Sequence, residues 1–284
     1  MSNDLRCDHP PDCLPGPRFE CNDVFGSPVV VPAREGGTLV QWSLDPRIRD
    51  QGEYRYTLLI AHAGVTDPAA WEKVTSGNDV FFLTDPIRRL PGDFSFTHYR
   101  LRLETGERTY DSEPLHTMGR LGYLDWRKYI AVMRAEYVQL TRRTGIQGLL
   151  YKRKISGLPC RRCRDFNTDE VRDMKCHDCY GVGWLGGYYR AVPCSWLNVA
   201  PADASIQYDV QTQGPVTNTR FEARAIASPH LISGDVWVNE QNSERFKITM
   251  VRPIVEIKSV PVVYMLAIER LPFSDIVYSL PRPT

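Results

Sequence analysis

The stretch Tyr99–Leu115, YRLRLETGERTYDSEPL, alternates side chains along its length, with Tyr99, Leu101 and Leu103 facing one way and Arg100, Arg102 and Glu104 the other. A period of two is the mark of a strand with one buried face. The ETGE tetrapeptide, 104–107, then reverses the chain, so the segment predicts an antiparallel hairpin. The same habit extends outward on the N-terminal side. TLVQWSL (38–44) places Leu39 and Gln41 on one side, Val40 and Trp42 on the other. YRYTLLIAHA (54–63) alternates Tyr54, Tyr56, Leu58 and Ile60 against more polar neighbours, and DVFFLTD (79–85) repeats the pattern. Turn signals fall at 45–53, 76–79 and 90–93. Short strands at this spacing with no helix between them predict an antiparallel sandwich.

On these residues the segment 26–118 resembles a fibronectin type III domain. Trp42 stands where that family buries a tryptophan on its second strand, Tyr99 where it places a tyrosine on the penultimate one, and Ser112 and Pro114 in its Ser-x-Pro exit. A mid-domain Trp71 belongs to the same likeness.

After the sandwich, LDWRKYIAVMRAEYVQLTRR (124–143) changes the period. Trp126, Tyr129, Ile130, Met133, Tyr137 and Leu140 recur at steps of three and four, which predicts a helix of about 18 residues within 119–150. Asp125 is its expected N-cap, Arg142 and Arg143 suit the C-terminal end of the dipole, and Gly145 can stop it. From residue 193 to 284 the chain reads as β once more. SIQYDVQ (205–211), TRFEARAIA (219–227), GDVWVNE (234–240) and the long run from Arg245 supply four to six strands, with a clear hairpin around NEQNSER (239–245). This predicts a small barrel or an open antiparallel sheet. The fold class expected is mainly β with one connecting helix.

Between these parts lies CRRCRDFNTDEVRDMKCHDCYGVGWLGGYY, Cys160–Tyr189. Two C-x-x-C turns, Cys160/Cys163 and Cys176/Cys179, bring four thiolates to one ion in the manner of a tetrahedral zinc site, within a module spanning 151–192. Such a site has no open position, so its zinc is structural; a redox pair or unrelated cysteines are the other readings. His177 sits inside the second knuckle and is expected to be solvated. CHDCYGVG also matches the C-x-x-C-x-G-x-G repeat of the DnaJ-type cysteine-rich domain, but CRRCRDFN lacks those glycines and only one pair of knuckles is present.

Eight cysteines are many for a chain whose first residues, MSNDLRCDHPPDC, lack the apolar core of a signal peptide. Residues 1–25 read as an extended arm, on which Cys7, His9, Cys13 and Cys21 either form a second metal site or remain free thiols. Cys194, beside Trp196, is expected to be a packed thiol. The longest apolar runs, such as Val260–Ile268, are far too short to cross a bilayer, so no membrane partner is expected. Net charge is +1, which gives no bulk case for nucleic-acid binding. Any such binding needs a local patch, and the basic run 152–164 is the candidate. No nucleophile elbow, Walker loop, zinc-protease motif or dinucleotide fingerprint is present, and the six histidines (His9, His62, His98, His116, His177, His230) are scattered, so no enzyme is expected.

Taken together, GLLYKRKISGLPCRRC, CHDCYGVGWLGGYYRAVP and SGDVWVNEQNSERFKITMV resemble a class of tailed-bacteriophage virion proteins. Tyr180–Gly183, Gly186–Tyr189 and Gly234–Val238 carry the likeness. It implies a ring-forming neck or head–tail connector component with a structural zinc on Cys160, Cys163, Cys176 and Cys179. Its partners would be identical subunits, neighbouring neck, portal or tail proteins, and passing DNA without sequence specificity; its location would be the virion. A tail or baseplate component is the alternative within that class. A cytosolic zinc-ribbon nucleic-acid or chaperone-type adaptor is the alternative outside it.

Overall fold

The computed structural model of the chain describes residues 24–281 apart from 49–52, 63, 66, 68–69, 88–96, 166–167, 169 and 200–219. The arm residues Cys7, His9, Cys13 and Cys21, and the strand expected at 205–211, lie outside the described residues. The described part is mainly β, its sheets antiparallel throughout, with one α-helix.

Two sheets form the N-terminal half. In the first, β2 (Thr38–Leu44) lies between β1 (Phe25–Pro32) and β5 (Phe82–Asp85). In the second, β3 (Arg55–His62), β4 (Glu72–Asn78), β6 (Thr97–Glu104) and β7 (Thr109–Asp111) run in the order β4-β3-β6-β7, and β8 (Leu115–His116) pairs with β6 beyond β7. The alternation that opens the sequence reading holds: Tyr99, Leu101 and Leu103 are fully buried. They pack with Val40, Tyr56 and Leu58, and the Trp42 and Tyr56 rings lie 5.0 Å apart. The Tyr99 hydroxyl donates to the buried Asp85 carboxylate at 2.7 Å. Ser112 ties the exit of β7 to β6, since its Oγ accepts from the Leu101 amide at 3.0 Å.

Leu39 and Gln41 share one face of β2 and Val40 and Trp42 the other, and both faces are buried, because the C-terminal half covers the outer one. The turn read at 76–79 begins later: Ser76–Asn78 stay in β4, and Asp79 makes the turn with φ 49°.

Helix α1 (Tyr123–Val138) continues into a five-residue π turn, Gln139–Arg143. Trp126, Tyr129, Met133 and Leu140 are its buried stripe, at steps of three, four and seven, as the periodicity predicts. Its N-cap is Gly122, not Asp125. Asp125 sits in the first turn, where its carboxylate faces the positive end of the helix dipole and pairs with Lys258 at 2.8 Å. The helical segment ends at Arg143 with Thr144 as its C-cap, and glycine is needed next because a Cβ at Gly145 would fall 1.8 Å from the Leu140 carbonyl oxygen.

The C-terminal half is one sheet of β9 (Gly148–Tyr151), β10 (Val192–Pro193), β11 (Trp196–Val199), β12 (Arg220–Ile226), β13 (Val236–Asn239), β14 (Arg245–Ile257) and β15 (Val260–Arg270). The order is β10-β9-β13-β14-β15-β12-β11. Its long hairpin, β14–β15, turns at Lys258 and Ser259, both with positive φ, as a tight two-residue loop requires. Ile146 and Trp196 exchange both backbone hydrogen bonds, 2.7 and 3.1 Å, which brings β11 back beside the entry to β9. Trp196 and Trp237 stack at 3.6 Å inside. Gly148 makes room for them, since a Cβ there would lie 2.3 Å from the Trp237 ring.

The two halves share one core. Val30, Val40, Leu58 and Leu101 pack in the same cluster as Trp126 and Met133 of α1 and Val262 and Val263 of β15. The Tyr129 hydroxyl donates to the Pro261 carbonyl at 2.9 Å, pinning the helix to the sheet.

Candidate metal centre

The chain leaves the sheet after β9, forms the cysteine segment, and re-enters at β10. The segment contains little regular structure, so its backbone is organised by turns. The Arg164 amide donates to the Cys160 carbonyl, Arg172 to Cys163, Tyr180 to Cys176 and Val182 to Cys179. Tyr180, Gly181 and Gly183 all have positive φ (52°, 74° and 86°), which folds the second knuckle back over the sulfurs. A Cβ at Gly181 would meet the Met174 carbonyl at 2.5 Å, so glycine is required there. Bridges between Pro159 and Trp184, and between Arg153 and Tyr188, zip the two ends of the segment together.

These turns gather Cys160, Cys163, Cys176 and Cys179, the four residues singled out by their spacing. All four are at most 2% exposed, and none is in a disulfide. Cys160 and Cys176 sulfurs are 3.8 Å apart, Cys163 and Cys179 sulfurs 3.1 Å, and all four ligand atoms lie within 4.8 Å of one another. A tetrahedral ion with metal–sulfur bonds of about 2.3 Å needs sulfurs about 3.8 Å apart, so the donor set fits one metal ion. His177 is exposed and is not part of the cluster.

The electrostatics point the same way. Burial, then the three neighbouring sulfurs, push the Cys163 thiol up, and burial raises Cys179 as well. Burial also raises Cys176, but the Asp178 amide, the Cys160 and Cys163 thiols and the Cys179 amide outweigh it and bring it down. Four dry sulfurs cannot all ionise without a cation among them, and a bound divalent ion would supply that charge. With four protein ligands, a metal bound there would have no position left for water or substrate.

Much of the basic run 152–164 is engaged within the fold, while Arg161 and Arg162 are exposed. Lys152 is buried and pairs with the fully buried Asp235 at 3.1 Å, also donating to the His230 carbonyl at 2.7 Å. Burial pulls both Lys152 and Asp235 toward neutrality, and the pairing opposes it. Asp235 also accepts from the amides of Arg153 and Ile232, both at 2.8 Å. Lys154 pairs with Asp79 at 2.7 Å, and the Arg164 guanidinium lies 4.0 Å over the Trp184 ring. The Lys152–Asp235 node was not read from the sequence, although Gly234–Val238 had been singled out. A Cβ at Gly234 would lie 2.8 Å from the Arg153 side chain, so that glycine lets the strand carrying Asp235 come close.

Beside this node, a cavity of about 350 Å³ opens between the N-terminal sheets and the C-terminal sheet, walled by Gln41, Trp42, Lys152, Tyr189, His230 and Tyr264. The His230 amide donates to Gln41 at 2.8 Å, and its ring shares a 2.6 Å hydrogen bond with the Tyr264 hydroxyl. Cys194 packs against the tryptophan cluster, its carbonyl accepting from the Trp237 indole at 2.7 Å. Cys194 is half-buried, and burial pushes its thiol up to about 12. Among the described residues, no helix is long and apolar enough to cross a membrane.

No protein-family model matches the chain, and the search of the curated proteins finds no match.

Proposed function

We propose that the chain is a structural protein of a tailed-bacteriophage virion, a ring-forming neck or head–tail connector subunit held together in part by a structural zinc. The observation that carries this reading is the closed four-sulfur centre placed as an insertion between β9 and β10. A metal there staples a segment too small to bury a core of its own and offers nothing to a substrate. Zinc is the ion that suits four thiolates in a tetrahedron without redox chemistry.

The rest of the molecule supports a building-block role. The sheet orders β1-β2-β5 and β4-β3-β6-β7 favour a fibronectin-III-like sandwich, with Trp42 and Tyr99 buried in it. The double hydrogen bond between Ile146 and Trp196 favours a small closed barrel for the C-terminal sheet. Such rigid β units pack side by side with identical neighbours, and their edge strands are covered in the assembled ring. In this reading the partners are other copies of the chain and adjoining neck, portal or tail proteins, the location is the virion, and the subunit is not an enzyme. A tail or baseplate position is the variant reading. The adaptor reading is left with Arg161 and Arg162 as its exposed cations, because Lys152 and Lys154 are engaged within the fold.

The test is native mass spectrometry of the purified protein, with and without a zinc chelator. One zinc per chain in a large closed ring is the expected result. A zinc-bearing monomer that also fails to co-sediment with phage particles overturns the connector, and a chain without zinc overturns the staple.

A further inference from the structure

Among the described residues, a row of exposed cations lies along α1. The exposed side of the helix carries Arg127, Lys128 and Arg134, the following turn adds Arg142 and Arg143, and Arg120 precedes them. The helix has two acids, and both are engaged elsewhere: Asp125 with Lys258 and Glu136 with Arg224. Lys128 lies close enough to help hold the Asp125 carboxyl below its usual range, behind the Lys258 contact. Among the described residues, none of these six cations forms an ion pair. Arg127, Arg134 and Arg142 follow one line, which at 1.5 Å per residue runs for about 22 Å. Between them Ala131 and Ala135 are exposed and short.

We propose that this face of α1 binds duplex DNA through its phosphates, without reading sequence. The inference rests on the virion reading, in which DNA passes without sequence specificity, and deepens it by assigning the face that meets the DNA; ring formation and zinc content test that reading separately. The exposed cations outnumber the exposed apolar side chains beside them, Tyr123, Leu124 and Val138, whereas the middle of a protein interface is depleted in charge. The row complements a continuous line of negative charge, one per about 1.7 Å in duplex DNA. DNA rather than double-stranded RNA fits the shape. A helix about 10–12 Å across can lie along or in the roughly 12 Å major groove of B-form DNA, whereas the A-form groove is too narrow.

The experiment is fluorescence anisotropy of the full chain with a labelled mixed-sequence DNA duplex across a salt series. With four phosphates neutralised, log K falls against log salt with a slope of about −3.6, so affinity drops about a hundredfold between about 50 and 200 mM. Changing Arg127→Gln, Arg134→Gln and Arg142→Gln together makes the slope shallower by about 2.7. Lysine at the same three positions retains it. The equally charged control, Arg161→Gln with Arg162→Gln and Lys175→Gln on the exposed surface of the cysteine segment, leaves it unchanged. No binding at about 50 mM salt, a loss that follows the control instead, or equal affinity for duplex RNA each overturns the assignment.

Discussion

Lys152 shows how one side chain can be legible in type and illegible in role. Within the basic run it reads as surface charge, yet it is a buried cation held by Asp235 and the His230 carbonyl. Nothing local announces this, because its partner is 83 positions away in sequence. A buried charge stripped of its partner is costly, about 3–5 kcal/mol, whereas replacing both members with apolar groups of similar size is often near neutral. Asp235→Ala is therefore expected to lose about that much stability in urea unfolding. The double change Lys152→Met with Asp235→Leu is expected to recover only the part due to the unpaired charge, because Asp235 also holds the Arg153 and Ile232 amides. If the double variant is as unstable as the single one, the pair is not what stabilises this region.

Among the elements, the cysteine segment was the most readable. Its C-x-x-C pairs, and the glycines behind the second, specify the chemistry and the turns without help from elsewhere. Cys176→Ser, or removal of the metal with a chelator, is expected to open residues 158–187 to protease while the sheets on either side keep their far-ultraviolet dichroism. Unchanged resistance across that segment would argue against a metal staple. Helix α1 was legible in its stripe and illegible in its cap, because the Asp125 carboxylate is drawn to Lys258 from the β14–β15 turn. Strand β4 went unread for a related reason. EKVTSGN has no buried face to impose a period, and it is a strand only because β3 pairs with it.

For the whole molecule, two histidines tie stability to pH. Burial, and then the facing His98 ring 5.6 Å away, lowers His116. Burial, and then the Lys152 charge, brings His230 down to about 4. Both values lie below the usual histidine range near 6.5, so the unfolded chain takes up protons first as pH falls. Stability is thus fullest above about pH 6.5 and declines toward about pH 4. The melting temperature is expected to fall across that window, and His116→Gln with His230→Gln to flatten the decline. A melting temperature that rises on acidification from neutrality would contradict this. His230 also belongs to the seam between the halves, through its amide on Gln41 of β2, so the decline is expected to appear as one cooperative transition.

What the sequence determined by itself is whatever rests on short-range pattern: the alternating strands from Tyr99 outward, the stripe of α1, and the four cysteines as one site. Each depends on a period or a spacing of a few residues, which the backbone geometry of strand, helix or turn converts directly into a shared face or a shared ion. Only the tertiary structure decided which charges would be free. Lys152, Lys154, Asp125 and Glu136 are all taken by partners from other elements, and the docking of the C-terminal sheet buries both faces of β2. Charge pairing acts through space between residues far apart in the chain, so the cationic face of α1 emerges only once Lys258 and Arg224 have taken the two acids of the helix.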